Sequence, residues 1–211
     1  MLKYIIFDFD GTLADSKEVA MSAYNRLAER HGFNRMNPED LEHFRALSIA
    51  ERCRFLRVPM FRIPFLAGEF YGLYQESMKH LTLFPGMKEL LKELSERGYG
   101  IAVISSNSEQ NIRDFIHKHS LDIEQVICSS HIYGKDKMLR SFLKKNRLVN
   151  TDVIYIGDEH RDIMACKKIG IPVIWVNWGL DLLHSVAHAS PDFIVETPEE
   201  ILRIVESYRK K

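Results

Sequence analysis

Short apolar runs punctuate this chain at intervals that helices can fill, and no other feature constrains its fold as much. The runs are Leu2 to Phe7, Tyr99 to Ile104, Val126 to Cys128, Val153 to Ile156, Ile171 to Val176 and Phe193 to Val195. Leu2 to Phe7 is rich in β-branched and aromatic residues and ends at Asp8, as a strand buried on both faces would. Helical stripes lie between most of the runs. Met87, Leu90, Leu91 and Leu94 form one, with Gly98 placed to end it. Leu139, Phe142, Leu143 and Asn146 share a face of another. The last starts at Thr197, with Pro198 in its first turn and Glu200 completing a capping box, and carries Ile201, Leu202, Val205 and Tyr208 inward. Buried strands alternating with helices predict an α/β fold built on a Rossmann-like, doubly wound parallel sheet covered on both faces. Ligands bind such sheets beyond the carboxyl ends of the strands.

One stretch interrupts the alternation. From Ser16 to Leu83 there are helix signals and no convincing strand. Ala20, Ala23, Tyr24, Leu27, Ala28 and His31 follow helical spacing, and Gly32 ends the segment. Asn37-Pro38 has the form of a cap followed by a first-turn proline, and Pro64 opens a helix that carries Leu66, Phe70 and Leu73 inward. The expected organisation is a core of residues 1–15 and 84–211 with an all-helical cap, 16–83, inserted over the carboxyl end of the first strand. The short connections near Ser16 and Leu83 are then the hinges of a lid.

Composition removes several alternatives. A chain of 211 residues buries enough apolar surface to fold without disulfides or metals. Its 29 basic and 29 acidic side chains balance, which argues against a surface made for nucleic-acid phosphates or anionic lipid. No apolar run approaches the roughly 18 residues that span a bilayer. The N-terminus enters the first strand without the zones of a secretory signal. Cys53, Cys128 and Cys166 are odd in number and unpaired in spacing, which reads as buried structural thiols in a reducing cytoplasm.

The polar residues after the apolar runs carry the chemistry. Asp8-Phe9-Asp10-Gly11-Thr12 follows the first strand. Alternation sends Asp8 and Asp10 to one side, and a strand that frays after Asp8 still lets both converge on its open end. Neighbouring carboxylates are costly unless a cation or hydrogen bonds compensate them, and Gly11 permits a sharp turn. A solvated Asp-Gly turn is the plain alternative. Ser105, Ser106 and Asn107 put hydroxyls and amides where a strand meets a helix, a natural anion site, with Ser108 free to cap the helix. Lys135, after Gly134, opens a helix at the end where the dipole disfavours cations, which suggests that its amine faces an anion, although an exposed lysine is the commoner outcome for such a position. Asp158 and Asp162 lie four apart on one helical face, where they repel unless a cation intervenes; paired surface acids are the bland reading.

Taken together, Asp8, Asp10 and Asp158 make an oxygen-rich cation site, Ser105 to Asn107 a cradle, and Lys135 a positive side chain. Hard oxygen ligands without His or Cys suit Mg2+, and cradle, lysine and Mg2+ all suit a phosphate. A carboxylate can serve as nucleophile in phosphoryl transfer.

In these motifs the chain resembles the haloacid dehalogenase-like hydrolase superfamily, in its phosphoglycolate phosphatase-like branch. Asp8-Phe9-Asp10-Gly11-Thr12 matches the first motif, the Ser105 region the second, Gly134-Lys135 the third, and Gly157 to Asp162 the fourth. The helical insertion falls where that branch carries its cap. The resemblance implies a Mg2+-dependent phosphatase acting on a small phosphorylated metabolite, phosphoglycolate-like or a sugar phosphate, through an aspartyl-phosphate. It makes Asp8 the nucleophile and Asp10 the general acid and base. Asp8 and Asp158 would bind the metal by carboxylate and Asp10 by its backbone carbonyl, with Asp162 supporting from behind. Ser105, the amide of Ser106, Asn107 and Lys135 would hold the phosphate. A phosphomutase of the β-phosphoglucomutase type, or a non-catalytic metal- and phosphate-binding domain, is the alternative on the same fold.

The third motif departs from the Gly-Lys-Pro common in that branch, which makes Lys137 a rival to Lys135. Arg45, Arg52 and Arg57 could each reach a substrate carboxylate, though each reads better as a solvated helix residue. Tyr24, Phe70, Tyr71 and Tyr74 read as cap packing, and His184 and His188 as surface histidines. Glu159 and His160 receive no role.

Overall fold

A computed structural model describes residues 2–129 and 134–209. Its centre is a parallel sheet of β1 (Tyr4–Phe7), β4 (Gly100–Ser105), β5 (Gln125–Cys128), β6 (Val153–Gly157), β7 (Val173–Val176) and β8 (Phe193–Val195), in the spatial order β5-β4-β1-β6-β7-β8. The first strand therefore lies in the interior, hydrogen-bonded to β4 on one side and β6 on the other. The apolar runs correspond to these strands with bounds moved by at most two residues; β1 begins at Tyr4 rather than Leu2, and β7 at Val173 rather than Ile171.

Alternation along each strand divides the core in two. Ile5, Phe7, Ile101, Val103, Ile154 and Ile156 face one layer, where they meet α5 (Met87–Glu96), α6 (Glu109–His119) and α10 (Pro198–Arg209). Ile6, Ala102, Ile104, Val153 and Tyr155 face the other, against α7 (Lys135–Asn146) and α8 (His160–Ile169). The short α9 (Leu183–Val186) adds Val186 to that second layer. The stripe Met87, Leu90, Leu91 and Leu94 is wholly buried, at roughly 1.5–3 kcal/mol per side chain.

The insertion holds α1 (Lys17–His31), α2 (Leu41–Arg45), α3 (Ile49–Phe55) and α4 (Ile63–Ser77). Helix α1 stops because Gly32 adopts φ 69° and turns its N–H back to the Ala28 carbonyl. Helices α1 and α4 pack together and bury Val19, Ala23, Leu27, Leu66 and Leu73. At its base, β2 (Ala14–Asp15) pairs antiparallel with β3 (Thr82–Leu83), so both crossings between insertion and sheet run through one short ribbon. Thr82 and Leu83 lie in a stretch expected to lack strands. Two residues carry too little alternation to register as a pattern. No described helix is long and apolar enough to cross a membrane.

Candidate active site

The carboxyl ends of β1, β4 and β6 converge beneath the insertion, where the sheet's strand order reverses. Asp8 extends the ladder by one bond, its N–H reaching the Ile156 carbonyl at 2.8 Å. Phe9 then turns into the core, edge-on to Phe115. Its carbonyl accepts from the amides of Thr12, Leu13 and Ala14, a turn that Gly11 permits at φ 75°. Asp8 is left buried, with Oδ1 held by the Phe9 N–H at 2.7 Å and Oδ2 by Lys135 Nζ at 2.7 Å.

Lys135 opens α7 and is buried, whereas Lys137 is exposed. Its ammonium also bonds Asp162 and sits 5.4 Å from the centre of the Tyr155 ring. Burial works against that charge, but Asp162 and Asp8 outweigh it and raise the group above its ordinary range. The geometry thus separates the two lysines.

Asp158, at the end of β6, is fully buried. Thr12 Oγ1 donates to its Oδ1 at 2.9 Å and the Leu180 N–H to its Oδ2 at 2.6 Å. Asp8, Asp158 and Asp162 each offer an oxygen within 4.8 Å of the others. Burial first, then the charges of Glu159, Asp8 and Asp162, push Asp158 well above the usual carboxylate range. Burial likewise lifts Asp162 to about 7 despite Lys135. Such a trio is undercompensated by one ammonium, and a hard divalent cation suits it. The backbone packs closely around it: a Cβ on Gly11 or Gly179 would collide with the Asp158 side chain.

The carboxylate of Asp10 is not in this trio. Tyr74 donates to its Oδ1 at 2.7 Å, Asn107 Nδ2 to its Oδ2 at 2.8 Å, and Ser16 adds a third bond. Withdrawal from water still raises its pKa, more than those donors lower it, and Asp8 adds to the rise. The carboxylates of Asp8 and Asp10 therefore do not converge as strand alternation suggests: the Asp10 side chain turns toward the insertion, Asp162 is the third carboxylate of the cluster, and the Asp10 backbone carbonyl is what the resemblance leaves for a metal.

The cradle is also more divided than its sequence implies. Ser105 ends β4, buried, with its hydroxyl accepting the Asn107 N–H at 3.1 Å. Ser106 is half-buried and meets Arg161 at 3.3 Å. The Asn107 side chain grips Asp10 and accepts from the Ser108 N–H, so its amide group is already engaged. Ser108 caps α6 as expected, accepting from the Asn111 N–H at 3.2 Å.

Other expectations change in the insertion. Arg45 and Arg52 are not solvated helix residues. Arg45 donates to the carbonyls of Gly179 at 2.9 Å and Leu180 at 3.1 Å. Arg52 is buried and pairs with Asp181 at 2.5 Å, while Asp181 also takes the His160 N–H at 2.6 Å. Arg57 is exposed, as are His184 and His188. Tyr74 does more than pack, since its hydroxyl reaches Asp10. Of the cysteines only Cys166 is buried; Cys53 and Cys128 are half-buried. Tyr74, Ser16, Arg161 and Asp181 were missed as participants; for Thr12 the signal was present in the first motif itself.

Comparison with known proteins agrees with this arrangement. The model of the haloacid dehalogenase-like hydrolase family matches residues 5–176. A phosphoglycolate phosphatase of Synechococcus elongatus is 30% identical over 206 residues, covering 97% of each chain. Among solved structures, a haloacid dehalogenase-like family hydrolase from Streptococcus pneumoniae superposes with a TM-score of 0.81 at 20% identity, covering 97% of this chain and 98% of that one. CbbY from Rhodobacter sphaeroides, solved in complex with phosphate, gives 0.74 at 20% identity, covering 95% and 96%.

Proposed function

The chain belongs to the haloacid dehalogenase-like hydrolases, and from that premise we propose that it is a Mg2+-dependent phosphatase acting on a small phosphate monoester. The observation that carries this reading is Asp8, buried at a strand's end between Lys135 and the carboxylates of Asp158 and Asp162. Residues 16–83 are assigned as a cap over a core of 1–15 and 84–211. The reducing cytoplasm inferred from the cysteine spacing belongs to the same proposal.

Asp8 acts as the nucleophile. A bond forms between its carboxylate oxygen and phosphorus as the ester P–O bond breaks, leaving an aspartyl-phosphate and an alkoxide. Asp10, whose raised pKa favours the protonated form, gives its proton to that alkoxide. As the carboxylate it then takes a proton from the water that attacks phosphorus, releasing phosphate and restoring Asp8. Lys135 orients Asp8 and offsets its charge; the Ser105 hydroxyl and the amide of Ser106 hold the phosphoryl oxygens, while Asn107, whose own amides are engaged by Ser105 and Asp10, positions both. Asp8, Asp158 and the Asp10 carbonyl would hold Mg2+, with Asp162 behind them, and the ion supplies neutralisation of the phosphoryl charge. Asp8→Asn is expected to abolish Mg2+-dependent phosphate release while circular dichroism and melting temperature show an intact fold. Unchanged hydrolysis in that variant overturns the reading.

A further inference from the structure

Beneath the insertion lies a cavity of about 290 Å³ whose floor includes Ser106 and Arg161. Its walls are Leu27, Leu56, Val58, Leu66 and Phe70, from α1, α4 and the turn after α3. A second cavity, of about 250 Å³, shares Tyr24, Phe44, Leu56 and Phe70 with the first and reaches Asp10 and Gly11. Ser106 of the proposed cradle and Asp10, the proposed proton donor, therefore each border a cavity whose walls are mainly apolar.

The charges that border the first cavity are matched. Arg52 pairs with Asp181, and Arg161 with Glu159 at 2.5 Å. A carboxylate or polyhydroxyl group entering the first cavity would lose its water and find Arg52 and Arg161, the cationic side chains that line it, already bound to acids. An alkyl or aryl group would gain from the same transfer. Resting on the phosphatase reading above, we propose that the substrate is the phosphate monoester of a hydrophobic alcohol, its apolar group seated against Leu27, Leu66 and Phe70.

The test is kcat/KM for methyl, ethyl, butyl and hexyl phosphate, beside 2-phosphoglycolate and glycerol phosphate. Leaving-group basicity is nearly constant along the alkyl series, so chain length isolates burial. Each added methylene is expected to raise kcat/KM about fourfold until the cavity is full, with hexyl phosphate above both polar esters. A flat or falling series, or phosphoglycolate above hexyl phosphate, overturns the proposal if hydrolysis still requires Asp8. Failure to hydrolyse any ester, or equal hydrolysis by Asp8→Asn, removes the phosphatase reading and this proposal together. A second variant locates the effect: Ala67→Phe, which fills the first cavity, is expected to collapse the hexyl-to-methyl ratio to within twofold. An unchanged ratio places the alkyl chain elsewhere and contradicts the proposal.

Discussion

Tyr74, near the end of α4, donates its hydroxyl hydrogen to Asp10 Oδ1 at 2.7 Å, so the helical insertion and the loop after β1 meet at one carboxylate. The phenol is almost wholly buried, and its removal strands a polar oxygen away from water. Tyr74→Phe keeps the ring and its packing. Steady-state kinetics should show kcat lowered about tenfold, because Asp10 loses one of the bonds that aim it, with the melting temperature lowered by a few degrees for the stranded oxygen. Unchanged kcat would mean that Asp10 is positioned by Asn107 and Ser16 alone.

Lys135 and Lys137 separate by contact. Lys135 bonds both Asp8 and Asp162, whereas Lys137, two residues on, is exposed on the opposite side of the same helical turn. Lys135→Met is expected to lower kcat/KM at least 100-fold, because it removes the ammonium that offsets two buried carboxylates. Lys137→Met should change it less than twofold.

The buried pair of Arg52 and Asp181 ties α3 to the loop that carries Leu180, whose N–H binds Asp158. Removing one partner leaves the other charge without compensation. Arg52→Leu should destabilise by about 3 kcal/mol in urea denaturation, and the double variant R52L/D181L should recover most of that loss. Equal loss in the single and double variants would show that the guanidinium's bonds to the Phe44 and Arg45 carbonyls matter more than the pair.

Two glycines should fail for different reasons. Gly32 ends α1 at φ 69° with nothing near its missing Cβ, so Gly32→Ala should cost about 1 kcal/mol of stability through backbone strain and leave kcat unchanged. Gly179→Ala would place a methyl group against Asp158. Titration calorimetry should show weakened Mg2+ binding, with kcat/KM reduced at least tenfold.

Which features were legible in the sequence follows from how local they are. The parallel sheet could be read because runs such as Val153 to Ile156 and stripes such as Met87 to Leu94 carry their periods within a few residues. Asp8, Lys135 and Asp158 could be read because each follows a strand or opens a helix. Contacts made across the fold leave no such trace. Tyr74 and Asp10 are 64 residues apart, and Arg52 and Asp181 are 129 apart, so spacing alone relates neither pair. That the Asp10 carboxylate points to the insertion while that of Asp162 joins Asp8 and Asp158 depends on how the chain turns at the end of β1. Alternation describes a strand and stops informing where the strand ends.

The central claim is that Asp8 accepts the phosphoryl group, and the most direct measurement is mass spectrometry of enzyme quenched in acid during turnover. The account predicts one phosphoryl group on the peptide containing Asp8, present with Mg2+, lost when the metal is chelated, and missing from Asp8→Asn. A phosphoryl group on any other residue, or sustained hydrolysis by Asp8→Asn, would contradict it.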